Sequence, residues 1–135
     1  MADALEIAMC VRDVLRDLDA ELSFAPQFDL ADLTELKVVV VPTDFGLGMA
    51  TRGTAEEEFG VEVGFLKKAT EDELPDLVRF VADVAGRFPG EHFCDAACVE
   101  AKFNPIYSPD HLRERRQFTS VLALTFRRHA DVCPR

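Results

Sequence analysis

The stretch HFCDAAC, residues 92–98, sets one imidazole and two thiols within seven positions. Nitrogen and sulfur donors of this kind are what a zinc ion takes. The spacing argues against a metal here. Structural zinc sites pair their cysteines more tightly and need four donors, so the fourth would have to come from Cys133 or another distant residue. The reading is no metal, with Cys10, Cys94, Cys98 and Cys133 as reduced thiols. The opening MADALEIAMC has no basic stretch leading into an apolar run, so no secretion signal is expected, nor the oxidising compartment that favours disulfides. Cysteine catalysis would need Cys94 beside His92 or His111, and nothing in the local sequence brings them together. Ser120 falls inside a strand pattern rather than on a nucleophile elbow, and there is no P-loop. The class expected is a binding or structural protein with no catalytic residue and no cofactor.

Two further stretches invite chemistry and then withhold it. DFGLGMATRGT, residues 44–54, has Gly46, Gly48 and Gly53. A dinucleotide fingerprint needs a glycine or alanine three residues after the second glycine, opening a helix; position 51 is threonine and a strand-like pattern follows. The stretch reads instead as a projecting hairpin loop whose Gly46, Leu47, Gly48, Met49 and Arg52 are free to touch a partner. EEEFGVEVGFLKK, residues 56–68, alternates. Glu57, Phe59, Val61, Val63, Phe65 and Lys67 form a mostly apolar row for the core. Glu56, Glu58, Gly60, Glu62, Gly64 and Leu66 form the other row. Carboxylates alternating along an open strand face are solvated or used in contacts, not paired for acid–base work.

The formal net charge is −10, which disfavours gripping nucleic acid, since counterion release needs cationic surface. No apolar run approaches membrane-spanning length. The charge is unevenly spread: residues 1–100 hold eight Lys and Arg against 22 Asp and Glu, a net −14, while residues 101–135 hold seven against three, a net +4. Three of these seven basic residues lie in SPDHLRERR, where Arg113, Arg115 and Arg116 lead into the last strand. Either this end pairs with acids of its own fold, or identical subunits meet acidic face to basic face, a contact that can close a ring.

The elements that position these residues follow from periodicity. Residues 3–22 carry a helical stripe of Ala8, Val11, Leu15, Leu18 and Leu22, widened by Ile7 and Val14. LKVVVVPT, residues 36–43, is a β-branched strand closed by Pro42. Residues 70–88 form a second amphipathic helix, with Asp72 as its cap and Pro75 in its first turn. Residues 97–108 and 117–129 are strands, joined through at most one short helical turn. The predicted architecture is one α+β domain over residues 1–135: a two-layer sandwich with a mainly antiparallel four-stranded sheet and two amphipathic helices on one face, in the order α-β-β-α-β-β.

The succession of LKVVVVPT, a glycine-bearing segment, VEVGFLKK, an amphipathic helix and NPIYSPDHLRERRQFTSVLALTFRR resembles small proteins of tailed-bacteriophage tail morphogenesis, of the tail terminator or tail completion (neck-region minor tail) type. The resemblance covers roughly residues 30–128 and is strongest from Pro105-Ile106-Tyr107 into RQFTSVLALTFR. HFCDAAC has no counterpart in it. It implies a homo-oligomeric ring, commonly a hexamer, seated on the last ring of the tail tube protein and facing a head-completion or neck protein. DNA passes through the lumen without being gripped, no membrane is involved, and the site of action is the tail–neck junction of the virion. On that reading Arg113, Arg115 and Arg116 meet Glu56, Glu57, Glu58 and Glu62 of a neighbour, and Gly46, Leu47, Gly48, Met49 and Arg52 dock against tail or neck. The alternative class is a small cytosolic interaction or regulatory domain without catalysis.

Overall fold

The computed structural model describes residues 4–23, 36–51, 54–93, 96–103 and 106–131. Expectations that fall on 24–35, Arg52, Cys94, Pro105 and the tail 132–135 lie outside the described residues.

The chain opens with α1 (Ala4–Val14), which buries Ile7, Ala8 and Val11 at helical spacing. The helix stops earlier than its stripe. A 3-10 turn over Arg16–Leu18 follows, and Asp19 takes the left-handed conformation (φ 53°), its N–H donating to the Arg16 carbonyl. The turn feeds a two-residue strand, β1 (Glu21–Leu22), which pairs parallel with the next strand at Val39 and Val40. Three strands of 15 residues each then dominate: β2 (Lys37–Thr51), β3 (Thr54–Lys68) and, at the chain's end, β6 (Gln117–Asp131). Between β3 and β6 come a 3-10 turn over Glu71–Glu73, α2 (Leu74–Ala85), β4 (His92–Phe93), β5 (Ala96–Phe103) and α3 (Pro109–Arg115).

The sheet is six-stranded and mixed, in the order β1-β2-β3-β6-β5-β4. This corrects the expected four-stranded, mainly antiparallel sheet with two helices. Among the described residues there are three α-helices, and β1 and β4 were too short to leave a periodic signal. SPDHLRERR also exceeds a single turn: its N-terminal proline sits where a missing N–H costs nothing, and α3 runs from it to Arg115. Asp72 does not cap a helix. It lies within the 3-10 turn that precedes α2, and Pro75 occupies the first turn of the helix.

The glycine stretch is the second correction. Gly46, Leu47, Gly48 and Met49 are not a loop; they are strand residues paired with Glu58, Glu57, Glu56 and Ala55 of β3. Pro42 fails to end the strand because the ladder steps past it through a bulge between Pro42 and Asp44. The outer neighbour β1 pairs only at Val39 and Val40, so the missing proline N–H removes no described ladder bond on that side. A matching bulge lies in β5 between Cys98 and Glu100. Both fall at one level, because Gly60 pairs with Asp44 and with Thr125, and Thr125 pairs with Glu100. Bulges sharpen local twist, so the sheet changes course at that row.

One main core fills the helix side of the sheet. Ile7, Ala8, Val11 and Leu15 from the first helical segment, and Val81, Val84 and Phe88 from the second, pack on Val38, Val40, Phe59, Val61, Val63, Phe65, Phe118, Leu122, Leu124 and Phe126. Burial of this many large side chains, each stabilising by about 1.5–3 kcal/mol, fixes the register of all three long strands. A bidentate contact ties the ends of the two helical segments: Arg87 donates to Asp17 Oδ1 at 2.9 Å and to Oδ2 at 3.0 Å. The hydrogen bond and charge of Arg87 hold the Asp17 carboxyl below its ordinary range, and Asp17 raises Arg87 in turn. On the opposite face Val39, Val41 and Leu66 form a small second cluster. The reduced-thiol expectation is corrected at one position. Cys10 is disulfide-bonded, with its partner outside the described residues, while Cys98 is free and buried.

Candidate functional site

The two ends of the long strands differ. Lys37, Lys67, Lys68 and Gln117 share one end, here the base; Thr51, Thr54 and Asp131 share the other, the tip. The last of the helix-covered core on β3 and β6 is the Phe59–Phe126 pair. From there β2, β3 and β6 continue as a three-stranded ribbon, and this ribbon gathers most of the residues singled out in the sequence.

Its helix-side face ends in a buried ion pair. Glu57 belongs to the apolar row and pairs in register with Arg128. Arg128 Nη2 donates to Glu57 Oε1 at 3.0 Å and Oε2 at 2.9 Å, and Nε donates to Oε1 at 3.2 Å. Each side chain is only 9% exposed. The guanidinium carbon sits 5.4 Å from the centroid of Phe59, a cation–π distance. Phe45, in register with Phe59, stacks against it at 5.2 Å yet remains 55% exposed.

The opposite face of the ribbon carries Glu56 and Glu58, with Arg127 between them: its Nε lies 3.2 Å from Glu56 Oε1 and 3.1 Å from Glu58 Oε2. Across the ladder on β2, the positions opposite Glu58 and Glu56 are Gly46 and Gly48. A Cβ built on either glycine would meet nothing within 4 Å. Gly60 contrasts with them, since a Cβ there would lie 3.0 Å from Asp44 Cβ and 3.1 Å from Thr43 Oγ1. Glu62 is further in, paired with Val41 and Ala123, half-buried and away from the tip.

At the base, Arg113 lies in α3 and Arg116 follows it at φ 50°. The Arg116 carbonyl accepts a hydrogen bond from the Ala69 N–H at 2.8 Å. Arg116 lines a shallow cleft of about 380 Å³ with Lys68, Ala69, Thr70 and Glu73, and Glu73 is engaged by Lys67 at 3.0 Å. Among the described residues Arg113 and Arg116 are exposed and have no carboxylate partner. The Arg115 backbone belongs to α3; its side chain and the whole of Arg52 lie outside what is described.

The structure therefore unites two sets kept apart in the sequence. Gly46, Leu47, Gly48 and Met49 are the strand directly beside Glu56, Glu57 and Glu58, with Gly46 and Gly48 on the face that carries Glu58 and Glu56. It separates another set: Arg113 and Arg116 are at the far end of the sheet from those acids. Glu58 and Lys68 alone are ten residues apart on β3, roughly 34 Å. Arg127, Arg128 and Phe45 went unassigned. A signal for the arginines existed: EEE at 56–58 and RRH at 127–129 occupy mirrored places in two antiparallel strands, where opposite charges attract across the ladder.

Burial pushes the Cys98 thiol up, with a weaker opposing pull from the Glu100 backbone, which disfavours a thiolate there. Among the described residues no His, Cys, Asp and Glu cluster suits a metal ion, and no helix is long and apolar enough to cross a membrane.

The class defined by these elements is a mixed-sheet α+β domain with an extended β-ribbon. Among solved structures it resembles a chain of the structure described as "Virion of native gene transfer agent (GTA) particle", with a TM-score of 0.60 over 96% of this chain and 98% of that one. Sequence identity is 16%, so the likeness is one of fold. No protein-family model matches the chain, and no curated protein matches it.

Proposed function

We propose that this chain is a non-catalytic structural subunit of a phage-like virion, and within it a ring-forming tail terminator at the junction of tail and neck. The observation that carries the reading is the end-to-end correspondence of fold with a virion chain, with almost no residue of either left over. The resemblance of residues 30–128 to tail terminator and tail completion proteins supports the finer role. In that role copies of the chain close a ring, commonly six, on the last ring of tail tube protein. The ring halts tube growth, receives a head-completion or neck protein, and lets DNA pass through its lumen. The acidic excess suits a lumen that does not hold DNA. The proposed subunit contact joins Arg113, Arg115 and Arg116 of one copy to acids of the ribbon of the next. Negative-stain microscopy of the purified chain, alone and with its tail tube protein, tests this. Rings that cap tubes at uniform length are expected. A chain that stays monomeric at high concentration and leaves tube length unaltered refutes it.

A further inference from the structure

Gly46 and Gly48 sit in the extended part of β2, where glycine weakens a strand by about 0.5–1 kcal/mol relative to alanine. Among the described residues nothing requires a glycine at Gly46, and Gly48 immediately precedes the register irregularity between Met49 and Thr51. Neither has the left-handed backbone that favours glycine, and no atom occupies the space a Cβ would fill. A strand glycine with neither a positive φ nor a clash to explain it can mark a place where another chain comes close. Their neighbours indicate what. On this face Asp44, Glu56 and Glu58 are set against the single guanidinium of Arg127, leaving two carboxylates in excess among the described side chains. The base corner holds the complement, Arg113 and Arg116, exposed and without a carboxylate partner among the described residues.

We infer that the glycine-bared face of the ribbon is the seat for the α3–β6 corner of a second copy of this chain, with Gly46 and Gly48 left without side chains so that Arg113 and Arg116 of that copy reach Glu58 and Glu56 over bare backbone. The inference rests on the ring reading and gives that ring its contact. The separation of the two patches along the sheet forces the pairing to be intermolecular. Because the patches differ, the contact is head-to-tail and propagates from copy to copy. Glu57 takes no part, since it faces the other side and is held by Arg128.

The test is a pair of half-blocked chains. Gly46→Val with Gly48→Val fills the seat with β-formers that meet nothing in their own chain, so the fold keeps or gains thermal stability. Arg113→Glu with Arg116→Glu reverses the corner. Light scattering of the wild-type chain should report a salt-sensitive oligomer, and each variant alone a monomer with an unchanged unfolding transition. Mixed one to one, the variants should give a dimer and nothing larger, because each retains one intact half. A wild-type oligomer with a valine variant that assembles equally well overturns this contact and leaves the ring standing. A mixture that stays monomeric overturns it likewise. A wild-type chain monomeric at every salt concentration overturns the ring itself, and this contact with it.

Discussion

Replacing Arg128 by methionine should strip the ribbon of its anchor. The guanidinium makes three hydrogen bonds of 2.9–3.2 Å to Glu57, and both side chains are about nine-tenths buried. The gross attraction of such a pair is about 4 kcal/mol at roughly 4 Å and an effective dielectric of about 20. Desolvation of both ions offsets most of it, so the intact pair contributes little net stability. Removing one partner is different: the Glu57 carboxylate stays buried with no counter-charge, which costs about 3–5 kcal/mol. The pair lies at the rim of the core, where water enters as the ribbon relaxes, so the lower figure applies, and the stacking on Phe59 is lost as well. Arg128→Met is therefore expected to lower stability by about 3 kcal/mol, or roughly 10 °C in melting temperature for a domain of this size. Glu57→Met alone should cost less, because the longer Arg128 side chain can turn its head to water. The double methionine variant should recover about 2 kcal/mol relative to Arg128→Met, since no lone ion remains. Urea titrations of the four chains close the cycle. A cost below about 1 kcal/mol for Arg128→Met, or costs that simply add in the double variant, would show that no stranded charge is involved.

Three further outcomes follow from local geometry. Gly60→Ala should destabilise by about 1–3 kcal/mol, because its Cβ would press on Asp44 and Thr43 at the bulge, whereas Gly46→Ala should be neutral or better; chemical denaturation of the two side by side checks the contrast. The Ser120 hydroxyl is fully buried with no hydrogen-bond partner among the described residues, so Ser120→Ala should leave stability unchanged or raise it by up to about 1 kcal/mol, and a loss larger than that in a melting experiment would reveal a hidden partner. Arg87 depresses the Asp17 carboxyl, so the stability this contact contributes is complete above the ordinary carboxylate range and is lost as pH falls through the lowered value; Asp17→Asn should remove that part of the acid sensitivity, seen as a smaller drop in urea midpoint from neutral pH into acid.

What was legible in the sequence was whatever burial had written into it. Val38, Val40, Phe59, Val61, Val63 and Phe65 alternate, Ile7, Ala8, Val11 and Leu15 recur at helical spacing, and all of them lie in the core. β1 and β4 were illegible because two residues carry no period. The reach of β2 was misread for a different reason. Pro42 and three nearby glycines oppose a strand locally, and twelve residues of β3, from Ala55 to Leu66, overrule them by pairing with β2 on one side and β6 on the other. Propensity is a weak prior when a ladder on a neighbouring strand satisfies the backbone. The candidate surface was lost with it: a loop has no register, and only register reveals that Gly46 and Gly48 stand opposite Glu58 and Glu56.

The same register bears on why the ribbon exists. The helices of 11 and 12 residues are about 16–18 Å long, while strands of 15 residues reach roughly 50 Å. Helices that short cannot roof strands that long, and the described core on β3 and β6 stops at Phe59 and Phe126. A chain selected only for monomer stability gains little from strand beyond that point, since a narrow ribbon without a packed face is marginal and an open β edge invites association. Here the extension is reinforced instead. Arg128 closes the core end over Phe59, Arg127 bridges Glu56 and Glu58, and Phe45 remains in the open. On the proposed ring reading these contacts stiffen a projection whose aromatic ring and two bare glycines are left for a partner, because the energy of ordering the ribbon is returned only when another surface covers it.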